Sequence, residues 1–499
     1  MGRERVLVAT WGNPFQWRPI RYRVECDRLG LENCRDVEMK NMSTLPVLIE
    51  ALKPDRAIIL ALDTLANIRI RRGDSTYEPD LEAKELSDYA EVRKDVEERV
   101  RWFIEERVKP LVKSEEVERE LDRVEILVGP GLGEFDNASV SGDMLDFYGF
   151  TLFELSQRLP GGDAEVFLDL THGINFMPVL AYRALKNLLG LSAYINEVSF
   201  HVLNSEPYPQ GSPEWAREAV KKSVLHMRLV ESSPVRPKPL YSLIPEKPEW
   251  SAFISSVTNG FPLAFVTFYP KIDEVRNEIK GRYSEFLDSI EVKMSEDEMG
   301  VRKVYIRRNS NLSEDFRTEI KLFYLLRVLN QKFRGYPKRE ATLDEMFEIT
   351  RLLFRKMPRI GAVTCRQLEE MKAFERGETV YGEHGPYHRK GLIDRLSRGK
   401  YWGALGEIAR EVSSKKGAPY SRAQDLVRMK ASSGGGINKN VCLRNFIAHS
   451  GFEFNITHVR YDKTEGKVYW FYGDRELLMK LCIGALETRL DRLEELEKC

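Results

Sequence analysis

Over roughly the first 245 residues, short apolar runs alternate with amphipathic stretches of helical period, and this alternation restricts the fold more than any other feature. Strands buried on both faces read as continuous apolar runs, and they belong to parallel sheets covered by crossover helices. The runs predict strands at Arg5–Thr10, Ala57–Leu62, Glu125–Val128, Glu165–Leu170 and Val198–Leu203. Helical periodicity predicts helices over about Leu86–Val112, Met144–Leu159 and Pro178–Leu189. The expected architecture is a Rossmann-like domain with helices on both faces of a parallel sheet.

At 499 residues the chain is too long for one core, so further domains are expected. A proline-rich stretch from Pro234 to Pro248 marks the exit from the first domain, placed at 1–245. Residues 246–311 read as a linker or small connecting domain. They contain a predicted hairpin, Ile290–Lys293 with Arg302–Arg307 around the turn Ser295–Gly300. The remainder, 312–499, reads as mostly helical, with periodic segments at Glu314–Phe333, Leu343–Phe354, Leu405–Val412 and Leu477–Leu496. A glycine- and charge-rich insertion at about 359–403 has no assignable pattern, and a hairpin is expected at Thr457–Tyr461 and Lys467–Phe471. The fold class is therefore α/β plus α.

No apolar run approaches the length needed to span a bilayer, and the start lacks the apolar core of a secretion signal. A cytoplasmic protein without a membrane partner is expected. The cysteines (Cys26, Cys34, Cys365, Cys442, Cys482, Cys499) include no Cys-x-x-Cys pair and read as reduced thiols. His384 and His388 have ligand-like spacing but lack the further ligands of a zinc site, so no metal is expected. The net charge of zero conceals an asymmetry. Residues 311–460 hold 28 Lys+Arg against 17 Asp+Glu, leaving the rest of the chain at −11. A basic region of this kind suits a local nucleic-acid site or a solvated charged face.

Ligands of open parallel sheets bind where loops leave the carboxyl ends of strands. Three such loops here are polar or glycine-rich: Trp11–Trp17, Gly129–Phe135 and Asp169–Asn175. Their glycines let backbone N–H groups approach phosphate oxygens, while Thr and Asn side chains add hydrogen bonds. Gly12, Asn13, Trp17, Gly131, Gly133, Glu134, Thr171, His172, Gly173 and Asn175 are the candidate ligand-binding residues. Simple turns would explain each loop taken alone. The second loop fails the dinucleotide fingerprint because Glu134 and Phe135 stand where its third glycine would lie. Trp11 is expected to cover the sheet, whereas Trp17 is open to either covering or stacking on a base.

The segment Arg444-Asn445-Phe446-Ile447-Ala448-His449 carries the candidate chemistry. RNA cleavage without a metal needs a base for the 2′-hydroxyl, an acid for the leaving 5′-oxygen and a cation for the crowded phosphorane. Histidine serves as base or acid near neutral pH, and arginine brings a permanent charge on a planar donor fork. A helix is predicted over Ile437–Ser450, stopping near Gly451. Asn445 and His449 then share a face, whereas Arg444 and His449 lie roughly 140° apart around it. One helix does not aim both at a single phosphate; two copies about a two-fold axis would. The helix dipole is expected to favour protonated His449. Spacing alone is weak, since with seven histidines an arginine five residues earlier arises by chance in roughly one such protein in two.

Taken together, VLVATWGNPFQW, GPGLGEF, DLTHGINFMP and RNFIAH resemble one family, the CRISPR-associated ribonucleases that join a CARF sensor domain to a HEPN effector domain. The resemblance covers nearly the whole chain in order. It implies an N-terminal CARF domain, a C-terminal HEPN domain, and Arg444, Asn445 and His449 as catalytic residues. It further implies a homodimer or higher assembly that cuts single-stranded RNA without metal or other catalytic cofactor, leaving a 2′,3′-cyclic phosphate and a 5′-hydroxyl. A cyclic oligoadenylate, often the tetra-adenylate made by a type III CRISPR complex, is the implied activator, with no stable association with that complex. Thr171 and His172 would lie near any slow degradation of that activator. The alternative reading is a nucleotide-sensing, nucleic-acid-binding regulator without nuclease activity.

Overall fold

The computed structural model describes residues 3–69, 71–72, 76–77, 81–207, 223–296, 302–376, 379–382, 385–388, 402–404, 443–453, 456–462 and 464–488. Two compact units divide the chain, one from Met1–Val235 with Arg276–Val328, the other from Arg236–Val275 with Leu329–Cys499. The stretch 246–311 is thus not a body of its own, in contrast to the expected linker.

The first unit is built on eight strands: β1 (Glu4–Thr10), β2 (Ile20–Val24), β3 (Val37–Asn41), β4 (Arg56–Leu62), β5 (Glu125–Gly129), β6 (Ala164–Asp169), β7 (Val198–Ser205) and β8 (Val224–Pro234). Their order in the sheet is β3-β2-β8-β7-β6-β1-β4-β5. The five strands from β7 to β5 run parallel, with Val6 of β1 opposite Val166 on one side and Arg56 on the other. β8 returns antiparallel beside β7. Val6, Leu7, Val8, Ile58, Ile59 and Leu60 are fully buried, as the apolar runs require of strands covered on both faces. The chain moves from β1 outward to β4 and β5, then returns to β6 on the other side of β1. The sheet order therefore reverses between β1 and β6, and that reversal places a ligand crevice at their carboxyl ends.

Helices Tyr89–Phe103, Leu145–Arg158 and Met177–Ser192 fall where the periodicity puts them, the latter two packing together. The first begins at Asp88, whose side chain accepts the Glu91 N–H and satisfies an otherwise orphan donor. The hairpin Ile290–Glu296/Arg302–Arg308 joins this unit because Val304 and Ile306 pair in parallel with Ala138 and Val140. Sequence periodicity shows a hairpin but not its long-range partner strand, so the segment reads locally as a linker. Cys26 and Cys34 form a disulfide, correcting the expectation of reduced thiols at these two positions. They flank the turn between the antiparallel strands β2 and β3, which brings their Cα atoms to 5.7 Å.

The second unit contains helices Pro248–Asn259, Pro262–Phe268, Leu343–Phe354, Pro358–Arg376, Leu443–Ala448 and Arg475–Glu487. A small sheet orders Glu340–Ala341, Lys467–Tyr472, Thr457–Asp462 and Trp402–Ala404. The Pro358–Arg376 helix occupies the start of the insertion that had no assignable pattern. Thr364, Gln367, Leu368 and Met371 form its buried stripe, at the three- and four-residue spacing of one helical face. Only two of those four are apolar, which hid the period. The expected helix at Leu405–Val412 and the residue His384 lie outside the described residues, as do 437–442 of the expected Ile437–Ser450 helix. Among the described residues no helix is long and apolar enough to cross a membrane.

Candidate functional site

The loops after β1 and β6 run side by side at the switch point, tied by the Gly12 N–H donating to the His172 carbonyl at 2.8 Å. Beside them opens a cavity of about 460 Å³ lined by Gln16, Trp17, Arg18, Tyr22, Thr171, His172, Asn204, Ser205, Glu206, Pro207 and Leu225. That volume suits a small-molecule ligand. Trp17 lies over the His172 ring with centroids 4.1 Å apart. Trp11 is fully buried against Trp17 and Phe103, so it covers the sheet as expected.

The backbone N–H of Thr44 donates to His172 Nε2 at 3.2 Å, which requires that nitrogen to be unprotonated. Burial pushes the ring's pKa down to about 3, so it is neutral at any physiological pH. The Thr171 hydroxyl donates to Asp169 Oδ1 at 2.6 Å and accepts the Ser205 N–H at 3.0 Å, joining β6 to β7 across the cavity floor. Asp169 is buried, which raises its carboxyl above the usual range.

Trp17, Thr171 and His172 are thereby brought together, while the other candidates are placed differently. Gly12 and Gly173 stand behind the wall. A Cβ on Gly173 would come within 2.6 Å of Pro178 Cγ, and one on Gly12 within 2.5 Å of Ile174 Cγ2. Asn13 caps a short turn by accepting the Phe15 N–H, and Asn175 is an exposed left-handed residue at φ 49°. Gly131, Gly133 and Glu134 do not line the cavity. The Gly131 N–H is held by Asp63 at 2.7 Å, and Glu134 accepts from Lys303 and Ser139 within the hairpin sheet. Sequence reasoning missed Arg18, Tyr22, Asn204, Ser205 and Glu206. Asn204–Glu206 could have been found by the carboxyl-end rule, because they follow the apolar run of β7.

In the second unit the Leu443–Ala448 helix presents exposed Arg444 near its start, and half-buried His449 follows its last residue. Phe446 fixes the helix from below, fully buried with its ring 4.8 Å from that of Phe261. The His449 N–H donates to the Asn445 carbonyl at 3.1 Å, keeping these residues on one side. The chain then breaks through Ser450 and Gly451, both at positive φ, and the Gly451 N–H returns to the Phe446 carbonyl at 2.8 Å. Glycine is required at 451, since a Cβ would approach Phe261 Cβ to 3.1 Å and the Tyr472 hydroxyl to 3.2 Å.

His449 Nδ1 meets Gln367 Oε1 at 2.8 Å, and Ser450 donates to Thr364 at 3.3 Å. Burial lowers the His449 pKa from the usual 6.5, with the Glu370 charge opposing weakly. The expected dipole effect, which would raise it, is outweighed; a helix of six residues has a small dipole and the ring is substantially desolvated. Neutral His449 therefore persists below pH 6.5. If the neutral ring acts as a base, the acid limb of a kcat/KM profile should have its midpoint below that pH; a midpoint above it would exclude the assignment. Among the described residues no group of three or more His, Cys, Asp or Glu side chains is placed to hold a metal ion.

A doubly wound domain with a cavity at its switch point belongs to the class of Rossmann-like domains, and residues 6–207 match the family model described as "CRISPR system endoribonuclease Csx1, CARF domain". The chain is 27% identical over 503 aligned residues to the "CRISPR system endoribonuclease Csx1" of Methanocaldococcus jannaschii, covering 93% of this chain and 88% of that relative. The chain is thus similar to a CARF domain over residues 6–207 and, over most of its length, to a CRISPR system endoribonuclease.

Proposed function

We propose that the chain is an endoribonuclease of CRISPR defence, switched on by a cyclic oligoadenylate and cutting single-stranded RNA without a metal. The observation carrying this reading is the Arg444-Asn445…His449 helix end, held by Phe446 and Gln367, on the same chain as the CARF-domain cavity. Because helical spacing would set Arg444 and His449 roughly 140° apart, the working site is read as a dimeric one. His449 takes the 2′-hydroxyl proton as the 2′-oxygen attacks phosphorus. His449 of the partner subunit protonates the departing 5′-oxygen, and Arg444 neutralises the phosphorane. The products are a 2′,3′-cyclic phosphate and a 5′-hydroxyl. Cyclic tetra-adenylate is the favoured activator, acting by shifting an existing equilibrium toward the cleavage-competent dimer.

The test is cleavage of labelled single-stranded RNA in EDTA, with and without a panel of cyclic oligoadenylates. Ligand-dependent cleavage in chelator supports the reading; intact RNA with every ligand, or equal rates with and without one, overturns it. Trp17 supplies the aromatic face that a nucleobase would meet. Trp17→Ala should weaken binding by about 10- to 100-fold in calorimetry, on a stacking contribution of roughly 1–3 kcal/mol per base. Unchanged affinity would remove Trp17 from the ligand site.

A further inference from the structure

We propose that Gln367 is the positioning residue that fixes the tautomer and aim of His449, so that Nε2 is the nitrogen presented to RNA. This rests on the functional reading above and adds to it a residue far from the RNFIAH segment in sequence.

Gln367 is almost fully buried on the Pro358–Arg376 helix, and its Oε1 lies 2.8 Å from His449 Nδ1. One turn earlier on the same face, buried Thr364 accepts from the Ser450 hydroxyl and donates to the Gly260 carbonyl at 3.2 Å. Two adjacent turns of one helix therefore grip two adjacent residues, 449 and 450, where the chain leaves its helical path. Such a double grip fixes the ring's position more closely than the short Leu443–Ala448 helix alone could.

The chemistry selects which end of the amide faces the ring. A histidine that cycles between base and acid is neutral in one half of the reaction and cationic in the other. With a carbonyl acceptor at Nδ1, the Nδ1–H bond survives in both states, and only Nε2 gains and loses the proton. An amide nitrogen at the same place would oppose the cationic form and leave Nε2 protonated in the neutral one. The neighbouring charge that acts on the ring, Glu370, lies one turn further along the helix that carries Gln367. Gln367 touches no reacting atom; it acts through His449.

The full-length protein with ¹⁵N-histidine tests this directly. The wild-type spectrum, assigned by difference from His449→Ala, should show neutral His449 protonated at Nδ1. Gln367→Leu should lose that preference and lower kcat by about 10- to 100-fold with KM little changed. Gln367→Glu keeps an acceptor at the same place and should retain the Nδ1–H form and most of kcat. A purely packing role predicts the reverse order, because a buried carboxylate is tolerated less well than leucine. Neutral His449 protonated at Nε2, or Gln367→Leu turning over at the wild-type kcat, overturns the proposal. Should Gln367→Leu fail to fold, the wild-type tautomer and Gln367→Glu still decide it. RNA left uncut by the wild type would sink the functional reading, while the tautomer readout would still judge Gln367.

Discussion

His449→Ala and Arg444→Ala are each expected to lower kcat for ligand-activated RNA cleavage by about 100- to 10,000-fold, the range spanned by losing a positioned acid–base group or a charge at a developing anion. Arg444 is exposed, so its replacement should leave folding intact, and the loss should appear in kcat with the ligand affinity of the first unit unchanged. His449→Ala also leaves the buried Gln367 amide without its ring partner, a cost in stability of about 1–3 kcal/mol. A melting curve must accompany that variant. The dimeric nature of the site gives a sharper test than either loss alone. Mixing inactive His449→Ala subunits into wild type under exchange should lower the rate as the square of the wild-type fraction if both histidines serve one cut. A linear fall would mean that a single histidine suffices for each cut. Wild-type activity in either variant would remove that residue from catalysis, and in both would remove the RNFIAH segment altogether.

Legibility in the sequence followed the range of the interactions. Strands β1, β4, β5, β6 and β7 could be read to within a residue or two because burial on both faces leaves an unbroken apolar run, and the carboxyl-end rule then leads to Trp17, Thr171 and His172, which line the cavity. What escaped depended on contacts between distant segments. Gly131 and Glu134 looked like phosphate-binding residues because a polar glycine loop has one appearance whether its N–H groups face a ligand or an internal carboxylate. Here they face Asp63 and the Arg302–Arg308 strand. The Pro358–Arg376 helix was invisible because half of its buried stripe is polar, yet Thr364 and Gln367 are what hold Ser450 and His449. Helix geometry alone points to a raised His449 pKa; desolvation, which lowers it, depends on surroundings that a helical wheel does not contain.

Arg308→Met should cost about 3–5 kcal/mol near neutral pH, the range for removing one member of a fully buried ion cluster. Arg308, Asp63 and Asp146 have essentially no exposed side-chain surface, and the arginine reaches Asp63 at 3.1 Å and Asp146 at 3.4 Å. It also donates to the Gly131 carbonyl, while Asp63 accepts from Tyr89 at 3.0 Å and from the Gly131 N–H. Asp146 in turn accepts the Leu312 N–H at 2.9 Å. The cluster thus fastens the hairpin to the loops that leave β4 and β5 on the carboxyl side of the sheet. Burial raises both carboxyls above their usual range, and the Arg308 charge pulls them back down. A carboxyl raised in this way contributes stability at low pH that is lost as the pH climbs through its folded pKa. Removing Arg308 raises both groups further, so the variant should lie closest to wild type in acid, where both carboxyls are neutral. It should fall furthest behind near neutrality, where a proton must be held or a bare charge buried. Melting temperatures of the two proteins should therefore converge as the pH is lowered from about 7.5 toward 5. A gap of constant size would mean that the loss comes from packing around the methionine, and no gap at all would mean that the cluster contributes nothing net to the fold.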